Sequence, residues 1–260
     1  MPLVNHYEEA WNKLYKFNKK FPVDMEKSIL QFAFEGKLEK QNSNDDNVEK
    51  LLDEIVKIKT KLINDKIIKK EKKLPDMVEK ELLFEIPYNW RWVRMSDVLD
   101  IRDGTHDSPK YYQTGIPFVT SKNLVEGKID FSDCKLISIE DAKKFNERSY
   151  IDDGDILFAM IGTIGNPVIV KKDREFCIKN MALIKNFARD YLETEFVYYY
   201  LLFIENYLKS IAQASVQSFV SLSILRKFVF PIPPLEEQKR IVNKLEELLP
   251  LCKKLSKNYD

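Results

Sequence analysis

A chain of 260 residues has room for one large domain or two modest ones, each with its own buried core. Hydrophobic residues at 44% and aromatic residues at 12% exclude a disordered chain. No apolar run approaches the roughly 20 residues needed to cross a bilayer. The stretch Met1 to Trp11 lacks the apolar run of a secretory signal, and Cys134, Cys177 and Cys252 have neither disulfide-framework nor zinc-site spacing. The expectation is a cytoplasmic chain with no bound metal and no membrane partner. The formal charge of +1 lacks the basic excess of an autonomous DNA-binding protein. A near-neutral chain meets DNA only if its acids lie away from one basic face, or if a partner supplies affinity.

From the N-terminus, apolar residues recur at Tyr7, Trp11, Leu14, Phe21, Met25, Ile29 and Phe32, the spacing of one helix stripe. Pro22 is expected to kink or restart this helix, and Gly36 to stop it. Asn42 to Asp46 form a polar loop. A second stripe at Val48, Leu51, Leu52, Ile55, Ile58 and Leu62 predicts a helix through about Lys73, ended before Pro75. Packing onto a globular core explains either stripe, as does docking of a partner.

Between Ile86 and Pro233 the texture changes to short apolar runs between turn residues. Trp92 to Val98, Ile116 to Val119, Ile156 to Ile161, Val168 to Val170 and Ala182 to Ile184 are predicted strands. Gly154-Asp155 and Gly165-Asn166-Pro167 have turn chemistry, and Glu193 to Leu208 is predicted as a helix packed on a sheet. Pro231-Ile232-Pro233-Pro234 is a stiff extended spacer. After it, Ile241, Leu245, Leu248, Cys252 and Leu255 follow at intervals of four and three, a short heptad seam with Pro250 inside it. The fold expected is α/β of the α+β kind, with one mixed-sheet domain flanked by long amphipathic helices. Its parts are a helical region at 1–84 with a loop near 37–47, a central domain at 85–234 and a C-terminal helix at 235–260. Placed before Asn5 to Gly36, the tail from Leu255 to Asp260 continues the three-to-four rhythm, as the halves of one repeated pattern would.

Ile86-Pro87-Tyr88-Asn89-Trp90-Arg91-Trp92-Val93 resembles the opening of a target recognition domain in the specificity subunits of type I restriction-modification systems. Gly104-Thr105, Gly115-Ile116-Pro117, Gly154-Asp155-Ile156-Leu157, Gly162-Thr163-Ile164-Gly165 and Pro231 to Gln238 follow in that family's order. Ser28 to Leu38 is similar to the end of its central helix. Each motif is common alone, and the ordered set is specific. The resemblance implies a half-length specificity subunit with one recognition domain that reads half of a bipartite site in double-stranded DNA. It also implies docking to a methyltransferase subunit, indirect association with a restriction subunit, and self-association into a dimer. S-adenosylmethionine and ATP would belong to the partner subunits.

Bases are read by groove contacts, whereas cations and amides on phosphates fix position. Four loops mix the two kinds: Arg102 to Tyr112, with Thr105, His106, Ser108, Lys110 and Tyr111; Ser121, Lys122 and Asn123; Ile161 to Gly165, with Gly162 and Thr163; and Gln213 to Ser218, with Gln213, Ser215, Gln217 and Ser218. An ordinary polar turn is the alternative for each. The helix positions expected to meet partners are Trp11, Leu14, Phe21, Met25, Ile29, Phe32, Ile241, Leu245, Leu248 and Leu255. No catalytic residue is expected: there is no G-x-x-x-x-G-K-[ST] phosphate loop, and Ile232-Pro233-Pro234-Leu235 lacks the polar head and aromatic tail of a base-flipping methyltransferase motif. Rival functions are an assembly protein that binds the methyltransferase without DNA, and a detached tail of a fused restriction-methylation enzyme.

Overall fold

The computed structural model describes residues 2–72, 74–214 and 219–257. The helices are α1 (Pro2–Phe34), α2 (Val48–Asn64), α3 (Met95–Val98), α4 (Ile139–Ser149), α5 (Thr194–Ala214), α6 (Leu222–Lys227) and α7 (Leu235–Lys257). The strands are β1 (Arg91–Arg94), β2 (Asp100–Asp103), β3 (Ile116–Val119), β4 (Leu124–Val125), β5 (Lys128–Ile129), β6 (Lys135–Ile137), β7 (Ile156–Ala159), β8 (Gly165–Ile169), β9 (Cys177–Ile178), β10 (Met181–Lys185) and β11 (Val229–Ile232). The result is a mixed α/β chain with long flanking helices.

The central layer is an antiparallel sheet in the order β2-β10-β7-β8, beside a three-stranded sheet in the order β6-β3-β9. Successive side chains of a strand face opposite ways, and β7 and β10 use both faces. Ile156, Phe158, Ala182 and Ile184 join the larger core with α5, α1 and α7. Leu157, Ala159, Met181 and Leu183 join a second core with Val119 and Ile178 from the smaller sheet. A strand buried on both faces reads as a continuous apolar run, which is how Ile156 onward appeared in the sequence.

In the larger core Phe34 of α1 meets Phe196, Tyr200 and Phe203 of α5 at ring-centroid distances of 5.2, 5.0 and 5.4 Å. Burying a phenylalanine side chain of this kind contributes about 1.5–3 kcal/mol. The Tyr200 hydroxyl donates to the Val229 carbonyl at 2.6 Å, and complete burial pushes its pKa well up.

Three of the quoted motifs converge at one joint. Gly36 has φ +67, and a Cβ there would lie 2.3 Å from Pro87 Cγ and 3.3 Å from the Trp90 ring, so only glycine lets α1 end against this segment. Glu237 and Gln238 at the start of α7 are fully buried. Glu237 accepts from Gln41, and Gln238 accepts from the Glu193 amide at 2.9 Å and donates to the Pro233 carbonyl at 3.0 Å. Arg240 clamps Asp45 through two bonds of 3.0 and 2.6 Å. The helical termini and the central domain are thus tied together through Glu237, Gln238 and the Arg240–Asp45 pair.

Several expectations need correction. Pro22 lies inside one continuous helix and does not restart it. The second helix stops at Asn64 and not near Lys73, because Lys66 turns to φ 60 and the amides of Ile67 and Ile68 fold back onto the Leu62 carbonyl. Trp92 to Val98 is not one strand: after Arg94 the chain makes a single helical turn, with Asp97 accepting from the Arg94 amide at 3.1 Å. Pro231-Ile232 is no spacer but half of β11, where Pro231 sits opposite Trp92 in a two-stranded ribbon that tolerates the missing donor. Gly165-Asn166-Pro167 opens β8 rather than forming a turn, with a register shift against β7.

Candidate nucleic-acid interface

β2, β7, β3 and β9 all end, and β10 and β8 begin, at one end of the central layer. The described loops singled out in the sequence emerge there and touch in series. Thr105 bridges Lys179, and the Lys179 amide donates to the Val119 carbonyl at 2.9 Å, which joins the first loop to the second. Ser121 Oγ lies 3.8 Å from where a Cβ on Gly162 would stand, which joins the second to the third. Ile161 pairs with Phe219, and the Val220 amide donates to the Met160 carbonyl at 3.0 Å, which joins the third to the segment after 215–218. Ser215, Gln217 and Ser218 lie outside the described residues, and Gln213 is exposed in the last turn of α5.

The first loop is stiffened by charge. His106 Nε2 lies 2.8 Å from Asp103 Oδ2 and Nδ1 lies 2.7 Å from Asn180 Oδ1. Two acceptors call for two N–H groups, and the imidazole pKa is accordingly raised, by the Asn180 bond first and the Asp103 bond second, against opposition from Arg148. Lys179 Nζ donates to Ser108 Oγ at 2.8 Å. Lys135 sits 4.4 Å from the Tyr111 ring centroid and Lys110 5.9 Å from that of Tyr112, both within cation–π range. Tyr111 and Lys110 are exposed.

In the second loop, Ser121 to Asn123 form a 3-10 turn that splits the residues by role. Lys122 is exposed and Ser121 half-buried. Asn123 does not belong to the surface. Its Oδ1 accepts from the Thr120 amide at 2.8 Å and the Thr120 hydroxyl at 3.0 Å, while Nδ2 donates to the Asp130 carbonyl at 3.1 Å. With 7% exposure and three of its four hydrogen-bonding positions taken, Asn123 is occupied in shaping the loop, and an adenine contact would have to use its one remaining N–H. In the third loop Gly162 and Thr163 are exposed.

Lys179, Asn180 and Arg148 belong to the same surface and were missed in the sequence. Lys179-Asn180 separates two apolar runs, Phe176 to Ile178 and Met181 to Ile184, and Asn180 has φ 54. A Lys-Asn pair between apolar runs is a turn signal that could have found them.

Of the remaining motifs, Gly154 to Leu157 lies at the opposite end of the sheet. Buried Asp155 accepts from the Asp152 amide at 2.7 Å and pairs with Lys185, with burial raising its pKa. Burial also raises the thiols of Cys134 to about 11 and Cys177 to about 12, which keeps both protonated and unreactive as nucleophiles near neutral pH. Among the described residues no group of three or more His, Cys, Asp and Glu side chains could hold a metal ion, and no helix is long and apolar enough to cross a membrane.

The helix positions expected to meet partners fall into two groups. On α1, Trp11, Leu14, Phe21 and Phe32 are exposed, Trp11 at 58%, while Met25 and Ile29 are half-buried. On α7, Ile241 and Leu245 are spent inside the chain's own core, Leu248 is half-buried and Leu255 exposed.

Residues 87–258 match the family model described as the type I restriction modification DNA specificity domain. The specificity subunit of the EcoAI type I restriction enzyme of Escherichia coli is 27% identical over 97% of this chain and 45% of its own length. The putative MjaX type I restriction enzyme specificity subunit of Methanocaldococcus jannaschii is 31% identical over 68% of this chain and 43% of its own. The chain thus spans less than half the length of these curated relatives. Among solved structures, the HsdS subunit from Thermoanaerobacter tengcongensis aligns over 99% of this chain and 50% of that one at TM-score 0.56 and 19% identity, a likeness of fold. With the match covering the ribbon, both sheets, the loop cluster and all of α7, the chain belongs to the type I restriction modification DNA specificity domain family and carries one such domain.

Proposed function

We propose that this chain is a non-catalytic subunit that reads one half of a bipartite site in double-stranded DNA for a type I restriction-modification complex. The observation that carries the proposal is the convergence of separate polar loops on one end of the sheet, with Lys110, Tyr111, Lys122, Thr163 and His106 exposed together. Side chains of this kind supply both phosphate and base-edge contacts. Methyl transfer, with S-adenosylmethionine, and ATP-driven steps would then belong to methyltransferase and restriction subunits, in the cytoplasm.

The exposed row on α1 supports a docking role for that helix, because Tyr7 stacks on Trp11 and Phe17 on Phe21 without cover from the chain itself. Pairing with a second copy would set two such domains about a two-fold axis and favour a symmetric, interrupted target. The test is reconstitution with the methyltransferase subunit and titration with duplex DNA carrying the host's modification motif. Lys122→Ala with Lys179→Ala should weaken motif binding at least tenfold and leave methyltransferase binding unchanged. An unchanged DNA affinity would favour an assembly role without DNA.

A further inference from the structure

The net charge of +1 conceals an uneven distribution. Beyond α2 the chain runs Lys66-Ile67-Ile68-Lys69-Lys70-Glu71-Lys72, with Glu71 its single acid. A solvated lysine run is usually unattached, and this one is pinned at three points. The Ile68 side chain is buried, the Ile67 carbonyl accepts from Arg102 Nη2 at 3.1 Å, and Glu71 pairs with Arg226 Nε at 2.9 Å. These anchors consume the segment's buried isoleucine, a carbonyl and its acid. Lys66, Lys69, Lys70 and Lys72 stay exposed, and none of them forms an ion pair among the described residues.

The anchors also fix where the strap lies. Arg102 is the penultimate residue of β2, the edge strand of the main sheet, and the next residue, Asp103, holds His106. Arg226 of α6 covers the same edge by donating to the Ile101 carbonyl at 3.0 Å. The strap therefore meets the sheet beside the point where the first loop of the candidate interface begins. Lysine ammoniums on flexible stems bind phosphate as point charges and carry no code for bases. Their release of counterions yields affinity that is the same for every sequence.

We propose that the strap Lys66 to Lys72 is a second, sequence-independent DNA contact, whose lysines neutralise backbone phosphates flanking the base pairs met by the loops. The proposal rests on the DNA-reading function above, and it answers the problem posed by the near-neutral composition: affinity comes from a local basic segment, not from the overall charge.

The test uses the full chain reconstituted with its methyltransferase subunit, and two duplexes, one carrying the host's modification motif and one with that motif scrambled. Affinity is measured from about 50 to 200 mM salt, where each lost phosphate contact lowers the slope of log K against log salt by about 0.9. Replacing Lys66, Lys69, Lys70 and Lys72 together by Gln should flatten the slope by about 2–4 for both duplexes and weaken both by the same factor at any one salt concentration, by more than about tenfold at 50 mM and by less at 200 mM. The corresponding four Lys→Arg changes should retain wild-type slope, which separates charge from any folding defect. A Gln variant with the wild-type slope overturns the proposal, as does an Arg variant as weak as the Gln one. Loss of methyltransferase binding with an unchanged slope overturns it in favour of an acidic protein partner. Equal wild-type affinity for the two duplexes would instead refute sequence reading, while the slope comparison would still decide the strap.

Discussion

Lys179 and Ser108, 71 positions apart, are joined by a 2.8 Å hydrogen bond from Nζ to Oγ. The bond ties the middle of the first loop to the junction between β9 and β10, so the loop's shape is set by the sheet beneath it. Lys179→Met keeps the stem and removes the donor. The expected outcome is a loss of motif affinity of at least tenfold in the reconstituted complex with a loss of stability of no more than about 1 kcal/mol, the usual worth of one hydrogen bond. Anisotropy titration alongside thermal unfolding checks both halves.

Neighbouring residues in the second loop should behave in opposite ways. Asn123→Ala removes the three hydrogen bonds of a buried amide to the Thr120 amide, the Thr120 hydroxyl and the Asp130 carbonyl, and should cost about 1–3 kcal/mol of stability. Lys122→Ala should leave stability untouched and weaken DNA binding with a smaller salt slope. Denaturant unfolding of the two variants distinguishes them, and equal destabilisation would contradict the assignment of Asn123 as a purely internal residue.

His106 makes the interface sensitive to pH. Its folded pKa lies above the ordinary value of 6.5, through the Asn180 and Asp103 bonds. The stabilisation of the loop is therefore complete below pH 6.5 and is lost as pH rises through the folded value. The protonated ring also adds positive charge beside Arg148, Lys144 and Lys179, against Asp103 and Asp107. Motif affinity should decline from pH 6 to 8, and His106→Asn should flatten that decline. A variant with the wild-type pH profile would remove the imidazole from the account.

Glu237 gives the reverse case for a carboxylate. Burial raises its pKa, against the hydrogen bond from Gln41 and the nearby charge of Arg240. The folded state then holds the proton more tightly than the unfolded state, and stability falls as pH rises through the folded value. Glu237→Gln, which mimics the protonated form, should raise Tm relative to wild type at pH 7.5, with the gain shrinking toward pH 4.5. Calorimetry at the two pH values is the measurement, and a gain that grows on acidification would contradict the sign.

Much of the fold was legible because local chemistry and tertiary structure agree. Ile116 to Val119 is β3 as expected, and Gly36 stops α1 because the space its Cβ would need is filled by Pro87. What the sequence concealed depends on distant partners. Gly165 and Asn166 look like a turn, yet they enter β8 because Glu205 of α5 occupies the place of a Cβ on Gly165 and accepts from the Asn166 amide at 2.9 Å. Ile241 and Leu245 have the spacing of a docking seam, and the same spacing serves a helix that packs on its own domain. In the candidate interface, the loops with mixed polar and aromatic residues stood out. Lys179 and Asn180 carry only a turn signal, and their place in this surface depends on β9 running parallel to β3, a pairing with no local signature.

The central claim is that this chain determines which DNA sequence its complex modifies. Single-molecule methylome sequencing of the host, before and after deletion of the gene, tests it most directly. The account expects one interrupted, symmetric motif to lose its methylation on deletion, to regain it with the wild-type gene, and to remain unmethylated when Lys122, His106 and Lys179 are replaced by alanine. A methylome that is unchanged by the deletion would contradict it.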